Sequence, residues 1–376
     1  MKLQSLFLCA LCLPLWSCDL ILGVNNAGTP LNTYNVMFEI FRNNYAFQSE
    51  MPESLDAIYN RYIADVQNLG DDEAAWQAMA QYAQYVIDDI RDYHVYMQGN
   101  PSWNRYRAGL QRKWPVEDLP PPSKGDPRYP EYQQLLREEQ DPIIAGTITV
   151  LGRPFGFVYG HVTSDPEIGY IQIRELYNPE GFGGAKRIEG NAWIGEIDNI
   201  LRNLKSRGVT KMILDIRTGA GGSLYTPAVI GARFWREERT YMYSYELVGP
   251  AGNPDNYKRR AHRIGHIGEG FSGKVIVLVN RKTSSGGEVF LLVARQIPGV
   301  TVMGTRTGGY PGIITAYDLP KGGWEMIIAT SKTTGTDGKS YLRVGLQPDI
   351  VVPDEPDDNS DQILKRAIVD VRGYGK

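Results

Sequence analysis

The sequence predicts an α/β protein: a mostly parallel sheet with extra strands, preceded by an N-terminal helical bundle. Three observations lead there. Apolar residues recur at helical spacing between residues 34 and 98, and short strand-like runs replace them from about residue 143. Twice, around 212–235 and 275–297, a buried run ends in a glycine-rich turn and continues as a helix. Such alternation of strand and helix is the signature of a parallel sheet with its functional groups at the strand ends. The 376 residues, 42% of them hydrophobic, suffice for a large core, and a net charge of −3 leaves no basic field for nucleic acid.

Taken in order, residues 1–17 read as a secretory leader: Met1-Lys2 is followed by an apolar run too short to span a bilayer stably. Its end, Leu15-Trp16-Ser17-Cys18, resembles the lipobox of bacterial lipoproteins, with Trp16 as a departure. That resemblance implies acylation at Cys18 and an exported protein of the bacterial cell envelope, periplasmic or surface-facing, held to the membrane by its lipid anchor alone. Cys9 and Cys12 fall in the leader, so no pair remains for a disulfide.

Residues 18–33 are expected to be a polar tether and 34–98 the helical bundle, with stripes at Leu55, Ile58, Tyr59, Tyr62 and Val66 and again from Trp76 to Ile90. The Pro-, Arg- and Tyr-rich stretch 99–142 reads as a linker or crossing segment. The core, 143–376, opens with strands at 144–150, 155–159 and 168–173. A helix carrying Ile197, Leu201 and Leu204 follows and is stopped by Gly208. Met212 to Asp215 is a buried strand leading through a glycine turn to a helix near 225–235. Further strands at 275–280 and 313–351 precede a closing helix marked by Ile363, Leu364, Ala367 and Val371.

The strand Val275 to Asn280 runs through Arg-Lys-Thr283-Ser-Ser285-Gly-Gly-Glu288 into an apolar helix, which puts Ser285 at a helix N-terminus. Unpaired N–H groups there can cap the serine or hold a developing oxyanion. Both readings stand on this segment alone, since Ser-x-x-Glu is also a capping box. A nucleophile needs a base, and there are four histidines. His94 continues an apolar helical stripe and should face inward; His262 and His266 sit in a polar stretch without periodicity and should be solvated; His161 ends a strand as a turn residue. The glycines at 219–222 are compatible with a plain turn or with an N–H from Gly221 or Gly222 paired with that of Gly286. Neither phosphate-loop nor dinucleotide spacing is present, and no cofactor or metal is expected.

Four segments in order resemble the motifs of the tail-specific, or C-terminal-processing, serine peptidases. They are Asp215-Ile-Arg217-Thr-Gly-Ala-Gly221-Gly222, Thr283-Ser-Ser285-Gly-Gly-Glu288, Gly304-Thr-Arg-Thr307-Gly-Gly309 and Gly345-Leu-Gln-Pro348-Asp349. The resemblance implies a crotonase-like (ClpP-like) core with Ser285 as nucleophile and an oxyanion hole from Gly286 and Gly221. The lysine-using branch is excluded, because Gly308-Gly309-Tyr310-Pro311 has no lysine. The histidine-using branch, similar to the tricorn protease core and the retinoid-binding-protein-like members, implies His94 as base. Gly219, Leu342 and Tyr93 depart from the branch's usual residues, which leaves no group to orient His94 other than Glu288, itself a candidate cap. No PDZ-like insert is expected. The function implied is hydrolysis of peptide or unfolded-protein substrates through a Ser285 acyl-enzyme; the alternative is an inactive relative that binds peptides or hydrophobic ligands.

Overall fold

The computed structural model describes residues 28–99, 102–107, 146–154, 156–174, 176, 192–218, 221–353 and 361–373. The leader, Cys18, Gly219 and most of the 99–142 stretch lie outside them. No helix among the described residues is long and apolar enough to cross a membrane.

Three helices open the structure: α1 Pro30–Asn44, α2 Leu55–Gln67 and α3 Glu73–Ile90, each started by a side-chain cap from Thr29, Ser54 and Asp72 respectively. The proline at the first position of α1 pre-sets the helical φ, so the helix begins inside the expected tether rather than after it. Strand β1 Tyr96–Gly99 and the short helix α4 Ser102–Arg107 follow.

Seven strands form the main sheet: β2 Ile148–Gly152, β3 Phe157–Val162, β4 Asp165–Ile173, β5 Lys211–Asp215, β8 Lys274–Val279, β9 Val300–Gly304 and β12 Ile350–Val351. Their order is β12-β9-β8-β5-β4-β3-β2, parallel from β12 to β4 and antiparallel beyond. The side-chain period of two divides the burial. Met212, Leu214, Val275, Val277 and Val279 face α5 Ala192–Ser206, α6 Thr226–Gly231 and α7 Gly286–Ala294. Ile213, Ile276 and Leu278 face the closing helix α8 Gln362–Val371 on the other side.

A second sheet is wholly antiparallel. It comprises β1, β6 Arg239–Leu247, β7 Tyr257–Ile264, β10 Ile313–Asp318 and β11 Trp324–Thr334, in the order β1-β11-β6-β7 with β10 on the other side of β11. The stretch around residues 259–268, read as polar and without periodicity, enters the β6–β7 hairpin. β7 pairs on one side only, its residues from Lys258 to Ala261 are exposed, and the run of charges hides the strand period. His262 is the one inward residue, buried and hydrogen-bonded to Ser244 at 2.8 Å, not solvated as expected; His266 is exposed.

The helices and this second sheet share one core. Trp324, Met326 and Ile328, alternate residues of β11, pack among Tyr34, Phe38, Trp76, Met79 and Trp103. The Trp324 ring meets those of Trp76, Trp103 and Tyr106 edge-on, at 5.6, 4.9 and 5.8 Å between centroids. The bundle is therefore fused to the sheet, and the boundary expected at residue 98 cuts through β1.

Candidate active site

The turn between β8 and α7 is built on Thr283. Its N–H donates to Asn280 O (2.9 Å), its hydroxyl donates to Ile216 O (3.1 Å), and the same hydroxyl accepts from Asn280 N–H (3.2 Å). This ties the turn to the backbone just after β5, where the glycine turn begins. Ser285 follows with φ +52° and ψ −116°, a backbone conformation rarely adopted by a residue with a side chain. Such strain collects at functional sites. Gly286 then lies against Gly222: a Cβ on Gly286 would stand 2.8 Å from Gly222 N. Gly222 itself has φ +142°, and no backbone acceptor among the described residues takes the N–H of Gly222 or Gly286. The carbonyl of Gly221 is occupied by Leu176 N–H at 3.3 Å. Of the two predicted glycines, Gly222 is thus the one whose N–H stands beside Gly286.

Glu288 is buried on α7 and accepts four hydrogen bonds. Its Oε1 takes the Thr307 hydroxyl (2.5 Å) and Gly309 N–H (2.8 Å), and its Oε2 takes Tyr310 N–H (2.8 Å) and Ser285 N–H (3.2 Å). Burial pushes this carboxyl upward, and the four donors pull it back. The residue closes a capping box and pins the 307–310 loop to the serine. Of its two expected roles, capping is the one these bonds describe, and none of them reaches His94.

His94 lies four residues beyond the end of α3, not on the helix. The helix stops at Arg91, which is left-handed (φ +58°), and Asp92 shapes the turn that follows. One oxygen of Asp92 accepts His94 N–H (2.9 Å) and the other accepts the buried Tyr45 hydroxyl (2.8 Å). The imidazole is nonetheless inward, as the stripe implied. It is buried, with its centroid 6.3 Å from the Tyr310 ring, and its Nδ1 has no hydrogen-bond partner. Burial lowers its pKa below the ordinary value, against a smaller opposing pull from Asp92. Tyr310 is the link between the two halves: its N–H shares a Glu288 oxygen with Ser285, and its ring faces His94 on one side and Tyr93 at 5.0 Å.

Several residues of this region were beyond sequence reasoning. Arg217, in the glycine-turn motif, is buried between Asp215 (2.7 Å) and Asp361 (2.6 Å), and Asp361 also caps α8 through Leu364 N–H. Nothing in the sequence couples positions 217 and 361. Thr307 accepts from Leu346 N–H at 2.7 Å, which joins the third and fourth motifs. Asp349 binds both ways to Val302 and fixes β12 beside β9. His161 lies in β3 rather than in the turn after it. Among the described residues no cluster of three or more His, Cys, Asp or Glu side chains is placed to hold a metal ion.

The strained serine sits at a strand-to-helix turn, two glycine backbones abut just after it, and an inward histidine lies against the Tyr310 ring, whose own N–H shares a carboxylate oxygen with that serine. Residues 167–352, just under half of the chain, match the model of peptidase family S41. The chain is 28% identical over 162 residues to a carboxyl-terminal-processing protease of Picosynechococcus, a stretch that is 43% of this chain and 36% of that one. The chain thus spans about a third of that relative's length. Among solved structures, a candidate peptidase from Parabacteroides merdae superposes with a TM-score of 0.70 at 22% identity, over 92% of this chain and 98% of the other. Mature CPAF gives 0.63 at 11% identity, over 93% and 98%. These structures share the fold, helical region included.

Proposed function

We propose that the chain is an exported, membrane-tethered serine peptidase with a crotonase-like core and no PDZ-like insert. His94 takes the Ser285 proton, Ser285 Oγ adds to the peptide carbonyl, and the N–H groups of Gly222 and Gly286 hold the tetrahedral oxyanion, with Gly221 shaping the turn. The protonated imidazole then gives its proton to the departing amine. Water, deprotonated by the same ring, releases the acyl group from Ser285. No metal or cofactor enters these steps. The substrate is a peptide or an unfolded protein, and acyl chains on Cys18 hold the enzyme at the bacterial envelope.

The observation that carries this reading is the backbone of Ser285. A residue meant only as a helix cap has no need of φ +52°, and the same turn sets Gly286 against Gly222, two residues whose N–H groups meet no backbone acceptor among the described residues. The bare Nδ1 of His94 favours a second reading, a non-catalytic peptide- or hydrophobic-ligand-binding lipoprotein on the same fold. A fluorophosphonate probe separates them. The peptidase is labelled at Ser285, loses labelling in Ser285→Ala and His94→Ala while both stay folded, and releases fragments from an unfolded protein. A folded wild type that takes no label is the binder. Metabolic incorporation of a fatty-acid probe, absent in Cys18→Ala, tests the anchor.

A further inference from the structure

His94 lacks the partner on Nδ1 that would fix a catalytic imidazole, so something else has to hold it. The strap from Tyr341 to Leu346 runs between the bundle and the serine loop. Leu342, at a position where the resemblance implies a carboxylate, is instead inserted into the core of the bundle. Arg343 follows with φ +65° and spans both sides. Its guanidinium donates to Arg91 O (2.9 Å) and Ile90 O (3.0 Å), the carbonyls that end α3, and to Glu50 O (2.5 Å). A cation there also meets the negative end of the helix dipole. Its own N–H donates to Gly309 O at 2.7 Å, next to the residue whose ring faces His94. Gly309 (φ +87°) permits this: a Cβ on it would lie 3.0 Å or less from the backbone of Arg343 and Gly345. One residue therefore connects the end of the helix that leads to His94 with the loop that Glu288 holds against Ser285.

We propose that Arg343 is the positioning residue for the base, fastening the end of α3 to the Gly309–Tyr310 loop so that imidazole and hydroxyl keep their register without a carboxylate on the ring. The inference rests on reading His94 and Ser285 as base and nucleophile. Arg343 touches neither the substrate nor the reacting atoms; it acts through the two segments it joins.

The test compares wild type with Arg343→Gly and Arg343→Lys. Glycine suits a φ of +65° and keeps the N–H for Gly309, so a residue needed only for backbone shape is replaced without loss. With the latch removed, acylation by a fluorophosphonate should slow on the order of tenfold or more, as misplaced catalytic groups generally cost. On peptide the loss should fall on kcat more than KM. Millimolar guanidinium should restore part of the rate in Arg343→Gly and none in His94→Ala, and Arg343→Lys should stay slower than wild type because one nitrogen replaces the three that meet these carbonyls. Independently of activity, the imidazole nitrogen resonances of His94, assigned with His94→Gln, should shift in Arg343→Gly. Labelling at the wild-type rate in Arg343→Gly, or unmoved His94 resonances, overturns the proposal. A wild type that takes no label overturns the peptidase reading instead, and the His94 resonances still decide whether Arg343 holds the ring.

Discussion

At the scale of single residues, the site depends on how burial treats a proton. His94 is buried with one nitrogen unpaired, which disfavours the imidazolium and lowers the pKa below 6.5. The neutral ring is the base, so lowering its pKa extends activity toward acid: the acid limb of kcat/KM for peptide, or of the acylation rate, should lie below pH 6.5. A limb above that value would place the proton elsewhere. Asp92 opposes the shift, so Asp92→Asn should move the limb further down and loosen the His94 turn. Gly286 gives a second prediction. The methyl of Gly286→Ala would stand 2.8 Å from Gly222 N and push the two N–H groups apart. Acylation should then fall by about 10²-fold, the usual cost of one lost oxyanion donor, and the backbone clash should lower the melting temperature as well. Ser285 and His94 were legible as residue types at the ends of recognisable elements. The strain at Ser285, the bare Nδ1 and the four donors on Glu288 were not, because each depends on atoms brought in from other segments.

Among the elements, α8 shows how far the motif around Asp215 reaches. Arg217 is enclosed by Asp215 and Asp361, and the Tyr170 hydroxyl donates to Asp215 at 2.8 Å. Asp361 is both ion partner and N-cap of α8, so one guanidinium connects the glycine turn to the start of the last helix. Removing it in Arg217→Ala leaves a buried carboxylate, Asp215, and a half-buried one, Asp361, without their cation. The expected cost is about 3–5 kcal/mol, measured as the fall in unfolding free energy in denaturant. Arg217 holds the Asp361 carboxyl below its ordinary value against the desolvation that raises it. A depressed carboxylate contributes stability that is present above the unfolded value of 3.8 and lost as pH falls through the folded one, so the difference between wild type and Arg217→Ala should narrow on acidification below about pH 4. The elements themselves were largely readable. β5 and β8 hold unbroken apolar runs, α7 is apolar from Val289 on, α8 carries a period of 3.6, and the structure places all four near the expected residues. The β6–β7 hairpin was not, because an edge strand with four exposed residues in a row gives no alternation, and β1 is too short to stand out from the helices before it.

For the whole molecule, the decisive feature is that the bundle and the second sheet are one hydrophobic body. Trp324 is fully buried among rings from α3 and α4. Trp324→Ala should cost about 3–5 kcal/mol and lower the unfolding midpoints of helix and sheet together in a single transition; separate transitions would show the bundle to be an independent domain. Pairing across such distances in the chain also sets an order of events. Met97 of β1 is registered with Met326, the serine loop is closed by Leu346, and the turn at His94 is reached by Arg343. Contacts of this separation form only when both ends of the chain exist. On the peptidase reading, a chain still being synthesised is therefore harmless to its neighbours: until residue 346 has emerged, it carries a base and a nucleophile that have no means of finding each other.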